Sequence, residues 1–163
     1  MFAEEYKIVP VMKEADISST VYTDSINMKG FHKATFIFTL NTLAGASAAL
    51  TVTSGADTAT YTSPLYFNHA LGGAAVGTAV ADSTASCDVL AAWANAATLT
   101  LTHGTYTNKM LVVEVDASEM DIANAEEWLS CVITTAGSVT GNASCIAILE
   151  PRYKINRSPT ALA

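Results

Sequence analysis

The sequence predicts an all-β fold, a single antiparallel β-sandwich or jelly roll with one or two short helices and extended terminal arms. Three observations predict it. Short runs rich in β-branched and aromatic residues alternate at period two, clusters of Gly, Asn and Ser punctuate them, and no segment carries the 3.6-residue apolar period of a long helix. The length of 163 residues suffices for one domain with a real core and falls short of two. Residues 1–13 read as an N-terminal arm and first strand, 14–150 as the sandwich domain and 151–163 as a C-terminal arm.

Taken in order, Ala34 to Leu40 sets Phe36, Phe38 and Leu40 on one face and Thr35, Ile37 and Thr39 on the other. That is the pattern of a central strand whose second face is partly covered. Leu50 to Thr53 and Thr98 to Thr102 alternate apolar residues with Thr, as half-buried strands do. The stretch 70–86, rich in Gly, Ala and Ser, fits either a long surface loop or two poor strands. Asp88 to Ala94 is read as a short helix with Val89, Leu90 and Trp93 inward. His103-Gly104 and Thr107-Asn108 mark turns. Met110 to Glu114 opens a strand whose inward row is Leu111, Val113 and Val115, and Asp116 with Glu119 three residues on signals a capped helical turn to about Ala123. Trp128 to Thr134 is a strand with Leu129, Cys131 and Ile133 inward. Cys145 to Leu149 is a continuous apolar run of strand length.

Charge is distributed unevenly. Between Ala34 and Glu150 the only Lys or Arg is Lys109, among ten acids, whereas the segment after Glu150 holds Arg152, Lys154 and Arg157 and no acid. A formal net charge of −7 argues against nucleic acid as a partner, because neutralising phosphates needs a concentrated basic face. Charged residues make up 14% of the chain against about 25% in an average domain. Either a core of small residues or burial of apolar surface against other protein accounts for that deficit. The N-terminus has acids where a signal peptide needs bases, and no apolar span of membrane length occurs, so neither export nor a membrane is expected. Cys87, Cys131 and Cys145 are odd in number and widely spaced, which reads as free thiols in a reducing compartment.

No reaction centre emerges. His32, His69 and His103 each sit beside a turn or strand start, and Gly137 to Gly141 has Val139 where a nucleophile elbow needs Ser. The acids Glu114, Asp116, Glu119, Asp121, Glu126 and Glu127 crowd one turn, but their spacing fits no calcium loop, so a solvated acidic turn is expected. Trp93 and Trp128 are placed in the core in preference to a carbohydrate platform. No cofactor, metal or catalytic residue is assigned.

The closing segment does look purposeful. Pro151 and Pro159 favour extended backbone, and Arg152 and Lys154 alternate with Tyr153 and Ile155 as in a strand lying along another surface. Exposed ion pairs contribute only about 0 to 1 kcal/mol, while burying Tyr153 or Ile155 would contribute roughly 1.5 to 3 kcal/mol each.

Tyr22 to Gly30 leading into the strand Ala34 to Leu40, then Asn108 to Ala117, Trp128-Leu129 and Ala147 to Tyr153, together resemble small virion proteins of tailed bacteriophages and prophages. The resemblance covers about half of the chain and rests on pattern, with no diagnostic motif. It implies a β-sandwich or jelly roll that decorates or cements the head, commonly as a trimer, without catalytic residues. The expectation is therefore a non-enzymatic capsid decoration protein. It is made in the host cytoplasm and placed on the capsid exterior, with the major capsid protein as partner, a homotrimeric state, and neither nucleic acid nor membrane bound. The arm residues Tyr6, Ile8, Val9, Arg152, Tyr153, Lys154, Ile155 and Arg157 are the expected contacts. The alternatives are a phage tail, connector or host-binding component, and a carbohydrate-binding β-sandwich module.

Overall fold

Residues 5–59, 63–77, 86–121, 124–135, 137–153 and 160–162 are described by a computed structural model. Alternation at period two gives strands wherever one side of the chain can be buried, and the described residues form strands β1 (Lys7–Asp16), β2 (Val21–Tyr22), β3 (Ile26–Asn27), β4 (Phe31–Leu40), β5 (Ala44–Gly45), β6 (Ala48–Gly55), β7 (Ser63–Leu65), β8 (Phe67–Leu71), β9 (Ala94–Ala96), β10 (Leu99–Leu101), β11 (Met110–Asp116), β12 (Trp128–Thr135), β13 (Val139–Thr140) and β14 (Asn142–Pro151). One sheet runs β1-β14-β4-β11-β8-β9 and is called the first sheet below; the second runs β10-β6-β12-β2, with β3 also on β12 and β7 also on β6. Since β12 occupies one side of β6 along its whole length, β7 and β10 share the other side end to end. Every pairing in both sheets is antiparallel. The fold is thus an all-β sandwich of antiparallel sheets.

The core lies between the inner rows. Phe36, Phe38 and Leu40 of β4, Leu111, Val113 and Val115 of β11, and Cys145, Ala147 and Leu149 of β14 face Leu50 and Val52 of β6 and Leu129, Cys131 and Ile133 of β12, all of them buried. The rows of β4, β6, β11 and β12 are those the alternation predicts; the inward row of β14 is chosen within a continuous apolar run by its pairing with β4. Burial of each large member contributes about 1.5 to 3 kcal/mol, which makes β4, flanked by β14 and β11, the best-anchored strand of its sheet. All three cysteines are free thiols, and burial drives Cys131 and Cys145 above the ordinary thiol range.

β1 is an outer edge of the first sheet and is paired with β14 from Lys7 to Asp16, across the boundary drawn at residue 13. Its free side is protected against further pairing. Pro10 has no N–H, the register shifts after Pro10 and again after Met12, and Lys13 and Glu14 are exposed, each a recognised block to edge-to-edge association. At the other end of the chain, Ala161 is buried, its carbonyl accepts from Asn27 N at 2.8 Å, and Leu162 bridges to Ile26. The last described residues therefore close against β3 of the second sheet.

Two helical expectations are corrected. Residues 88–93 form no helix: Val89 O accepts from Gly73 N, Leu90 bridges to Gly72 and Leu71 O accepts from Ala91 N, so the backbone bonds to the end of β8 and the loop after it. Ala94–Ala96 then joins β8 as an edge strand. Val89 and Trp93 consequently lie outward, Trp93 at 48% exposure. After β11, Asp116 does cap a helical turn, accepting from Ser118 N at 2.9 Å and Ser118 Oγ at 2.7 Å, and these bonds hold its carboxyl below the usual range. The turn is a 3-10 turn, Ala117–Glu119, capped at Met120, and Ala123 lies outside the described residues. One helical turn went unforeseen, α1 (His103–Tyr106), which buries Tyr106. Of the undecided stretch 70–86, Ala70 and Leu71 end β8, 72–77 are loop and turn, and 78–85 lie outside the described residues. Among the described residues no helix is long and apolar enough to cross a membrane.

Candidate assembly surface

Antiparallel register places directly opposed residues on the same face, so the outer face of the first sheet follows from the pairings. One row runs Pro10, Ile146, Ile37, Val112, Ala70 across five strands. It contains no polar side chain. The next row runs Ile8, Ile148, Thr35, Glu114, Asn68, Asn95. On the β1-β14-β4 side the hydrocarbon is open: Ile8 is 46% and Ile146 43% exposed, Pro10 is exposed, and Ile37 and Ile148 are half-buried. Toward β11 and β8 it closes, with Val112 and Ala70 buried. A charged row, Glu150, Lys33 and Asp116, borders the band. Within the band Glu114 is matched by Lys33 at 3.3 Å and accepts from Thr35 Oγ1.

The size of the open part decides what it can do. Three strands about 4.8 Å apart and two rows about 6.8 Å apart give roughly 200 Å². A stable two-protein contact buries about 800 Å² per partner, so this band is one contribution to an assembly contact and too small to be the whole.

The expected arm residues divide. Tyr6 precedes β1 and is half-buried; Ile8 opens outward into the band; Val9 is turned into the core at 3% exposure. Arg152 is exposed yet tied to its own chain: its backbone N donates to Gly30 O and its Nε donates to Phe31 O, both at 2.9 Å. Tyr153 is the most exposed of the large hydrophobic side chains described, at 75%. Lys154, Ile155 and Arg157 lie outside the described residues. The structure therefore brings Ile8 beside Ile146 and Ile148, a juxtaposition no local pattern announced. The available signal was the unbroken apolar run Cys145 to Leu149, in which Ile146 and Ile148 must point away from the core if Cys145, Ala147 and Leu149 point into it.

The acidic turn is only partly solvated. Glu127 pairs with Lys29 at 3.5 Å, and Asp121 accepts from the Asn124 side chain at 2.6 Å. Glu126, however, is buried, accepting hydrogen bonds from Ser54 Oγ and Ser63 Oγ. Among the described residues no three His, Cys, Asp or Glu side chains converge as metal ligands. Of the histidines, His69 is packed edge-on to Phe67 with a ring-centroid distance of 6.0 Å, and its buried Nδ1 has no hydrogen-bond partner. Burial holds its pKa below the ordinary histidine value.

No protein-family model and no curated protein matches the chain. Among solved structures it is similar to the SPBc2 prophage-derived protein YomS, with TM-score 0.50 and 12% identity over 88% of this chain and 91% of that one. The Triatoma virus empty capsid gives TM-score 0.39 at 10% identity, covering 99% and 96% of the two chains. The Tobacco streak virus coat protein gives 0.31 at 12%, covering 94% and 92%. The likeness to the prophage-derived protein is one of fold.

Proposed function

We propose that the chain is a non-enzymatic structural protein of a phage virion, and specifically a capsid decoration protein that binds the outside of the head and bridges neighbouring capsid subunits as a homotrimer. The observation that carries this reading is the open, uncharged Ile8, Pro10, Ile146 and Ile148 band on a chain otherwise acidic. Apolar patches rimmed by charge are association sites. The shared sandwich of a prophage-derived protein over nearly the whole chain supports the phage setting. A band too small for a tight pair suits a multivalent binder, in which several weak contacts act together and avidity replaces single-site strength. Tyr6, Ile8, Arg152, Tyr153, Lys154, Ile155 and Arg157 are the proposed contact residues, and Val9 serves by fixing β1 from inside.

The test is sedimentation of the purified protein alone and with empty capsids of the source phage. A trimer that co-sediments with shells is expected; a monomer that ignores them overturns the reading. Exposed Tyr22, Tyr66, Trp93 and Tyr153 favour a second reading, a carbohydrate-binding module, which predicts saturable glycan binding without shells. Immunogold labelling of the particle on its tail would turn the assignment to a tail, connector or host-binding component.

A further inference from the structure

The sequence Ala125-Glu126-Glu127 crosses from the acidic turn into β12, and at that end of the sandwich Ser54 of β6 stands opposite Ser63 of β7. Opposed residues share a face, so both hydroxyls reach the same carboxylate: Ser54 Oγ donates to Glu126 Oε2 and Ser63 Oγ donates to Glu126 Oε1 at 2.7 Å. Glu126 is 7% exposed. Its carboxylate has about four acceptor positions, two of which these hydroxyls use. Hydroxyls lower the cost of desolvating the charge without neutralising it.

Two cations line the same cavity, and neither is placed on Glu126. Lys29 pairs with Glu127 and Arg152 Nε donates to Phe31 O; among the described residues none forms an ion pair with Glu126. Glu126 lines a cavity of about 260 Å³ walled by Met28, Ala117 and Met120, with Lys29, Glu127 and Arg152 also lining it. Those three are solvent-exposed to different degrees, and their charges are screened; the charge of Glu126 is not. Backbone strain sits at the same place, since Ala125 is held at φ 55°, where residues with a Cβ rarely lie, and such outliers gather at functional positions.

We propose that this cavity receives one basic side chain, lysine or arginine, from a protein partner, with the cation on Glu126 and the methylenes against Met28 and Met120. The volume is below the roughly 300 to 1,000 Å³ of pockets for drug-sized ligands, which points to a single side chain. Lys and Arg bury their stems on apolar surface while the head finds a charge, and methionine walls adapt to either. The inference goes beyond the assembly reading by naming the chemistry of one contact, and its test needs no shell.

The test uses the full chain labelled with ¹³C at the methionine methyls, titrated with N-acetyl-L-arginine amide, N-acetyl-L-lysine amide and the uncharged N-acetyl-L-norleucine amide. Met28 and Met120 are expected to shift saturably with the two cationic probes while Met12 and Met110 stay put. The norleucine probe should bind at least about tenfold more weakly, a difference of about 1.4 kcal/mol. Glu126→Gln retains an acceptor and a donor for the two serines and should reduce cationic binding by a similar factor. Equal response to the norleucine probe, no saturation at probe concentrations on the order of 10 mM, or unchanged binding by Glu126→Gln overturns the proposal. A response that appears only after Lys154 and Arg157 are replaced also overturns it, assigning the cavity to the chain's own closing segment. If Glu126→Gln fails to fold, the comparison of charged and uncharged probes on the unaltered chain decides alone.

Discussion

The outer faces of the two sheets are built from different material. On the second sheet the outward positions are Thr51 and Thr53 of β6, Ser130, Val132 and Thr134 of β12 and Thr100 of β10, and several are tied down locally: Ser130 Oγ hydrogen-bonds Ser25 Oγ, and Thr134 Oγ1 donates to Ala49 O. On the β1-β14-β4 side of the first sheet the equivalent positions are Ile8, Pro10, Ile37, Ile146 and Ile148, with Thr35 among them. A hydroxyl-bearing strand face finds partners in its own backbone or in water, so it needs no second protein. An isoleucine face has no such option, and about half of each outermost side chain remains in water. The difference teaches that the low overall charge of the chain has two separate causes, a Thr- and Ser-bearing face whose Thr53, Ser130 and Val132 are already covered within the chain, and an isoleucine band left open on the first sheet. Only the second calls for a partner.

The strongest test of that contrast lies within one strand. Phe36→Ala on the inner row of β4 should cost about 3 to 5 kcal/mol, and Ile37→Ala on the outer row about 1 kcal/mol in the isolated chain, because only part of its surface leaves water on folding. Urea denaturation of both variants checks this, and equal losses would mean that the outer row is as fully packed as the inner one. A smaller effect, but one more specific to association, is expected from Ile146→Asp. It should weaken self-association or shell binding by at least about tenfold, or 1.4 kcal/mol, while Thr134→Asp on the opposite face leaves both unchanged in sedimentation. Equal behaviour of the two variants would remove the distinction between the faces.

The smallest effect concerns the one titratable ring on the inner side of the first sheet. His69 stands opposite Val113, and burial lowers its pKa in the folded state. The unfolded chain therefore takes up this proton first as pH falls, so the stability contribution is intact above the unfolded value of 6.5. It is lost progressively as pH drops below that value toward the folded one. Thermal melts between pH 7.5 and 5 should show a decline that is shallower in His69→Leu, and parallel curves would place His69 outside the buried row.

How much of this was legible in the residues follows from how local each signal is. Alternation over Ala34 to Leu40 or Trp128 to Thr134 is enforced by backbone geometry within the segment itself, so the strands and their inward rows were readable. The same holds for Asp116, whose cap is made with Ser118 two residues away. The segment 88–93 reads as helix in the sequence because its apolar spacing suits either state, and the end of β8 makes the decision. Strands β2, β3, β5 and β13 are two residues long and leave no period to detect. Gly141 could be named as a turn residue but its necessity could not: a Cβ there would lie 2.7 Å from Thr42 O, at φ 145°, a constraint set by a remote segment.

The candidate surfaces show the same division. The exposed aromatic Tyr153 and the outward parity of Ile146 and Ile148 were implicit in the chain, given that Cys145, Ala147 and Leu149 are core. That Ile8 completes their band depends on β1 pairing with β14, strands from opposite ends of the chain. The burial of Glu126 depends on Ser54 and Ser63 arriving from two other strands. By itself the sequence determined the class of fold, the inward rows and the scarcity of charge, because these follow from side-chain period and composition within single segments. Only the tertiary structure decided which strands are neighbours, and hence which isoleucines share a face and which acid is enclosed, because strand pairing is chosen by contacts between residues far apart in the chain that no local pattern encodes.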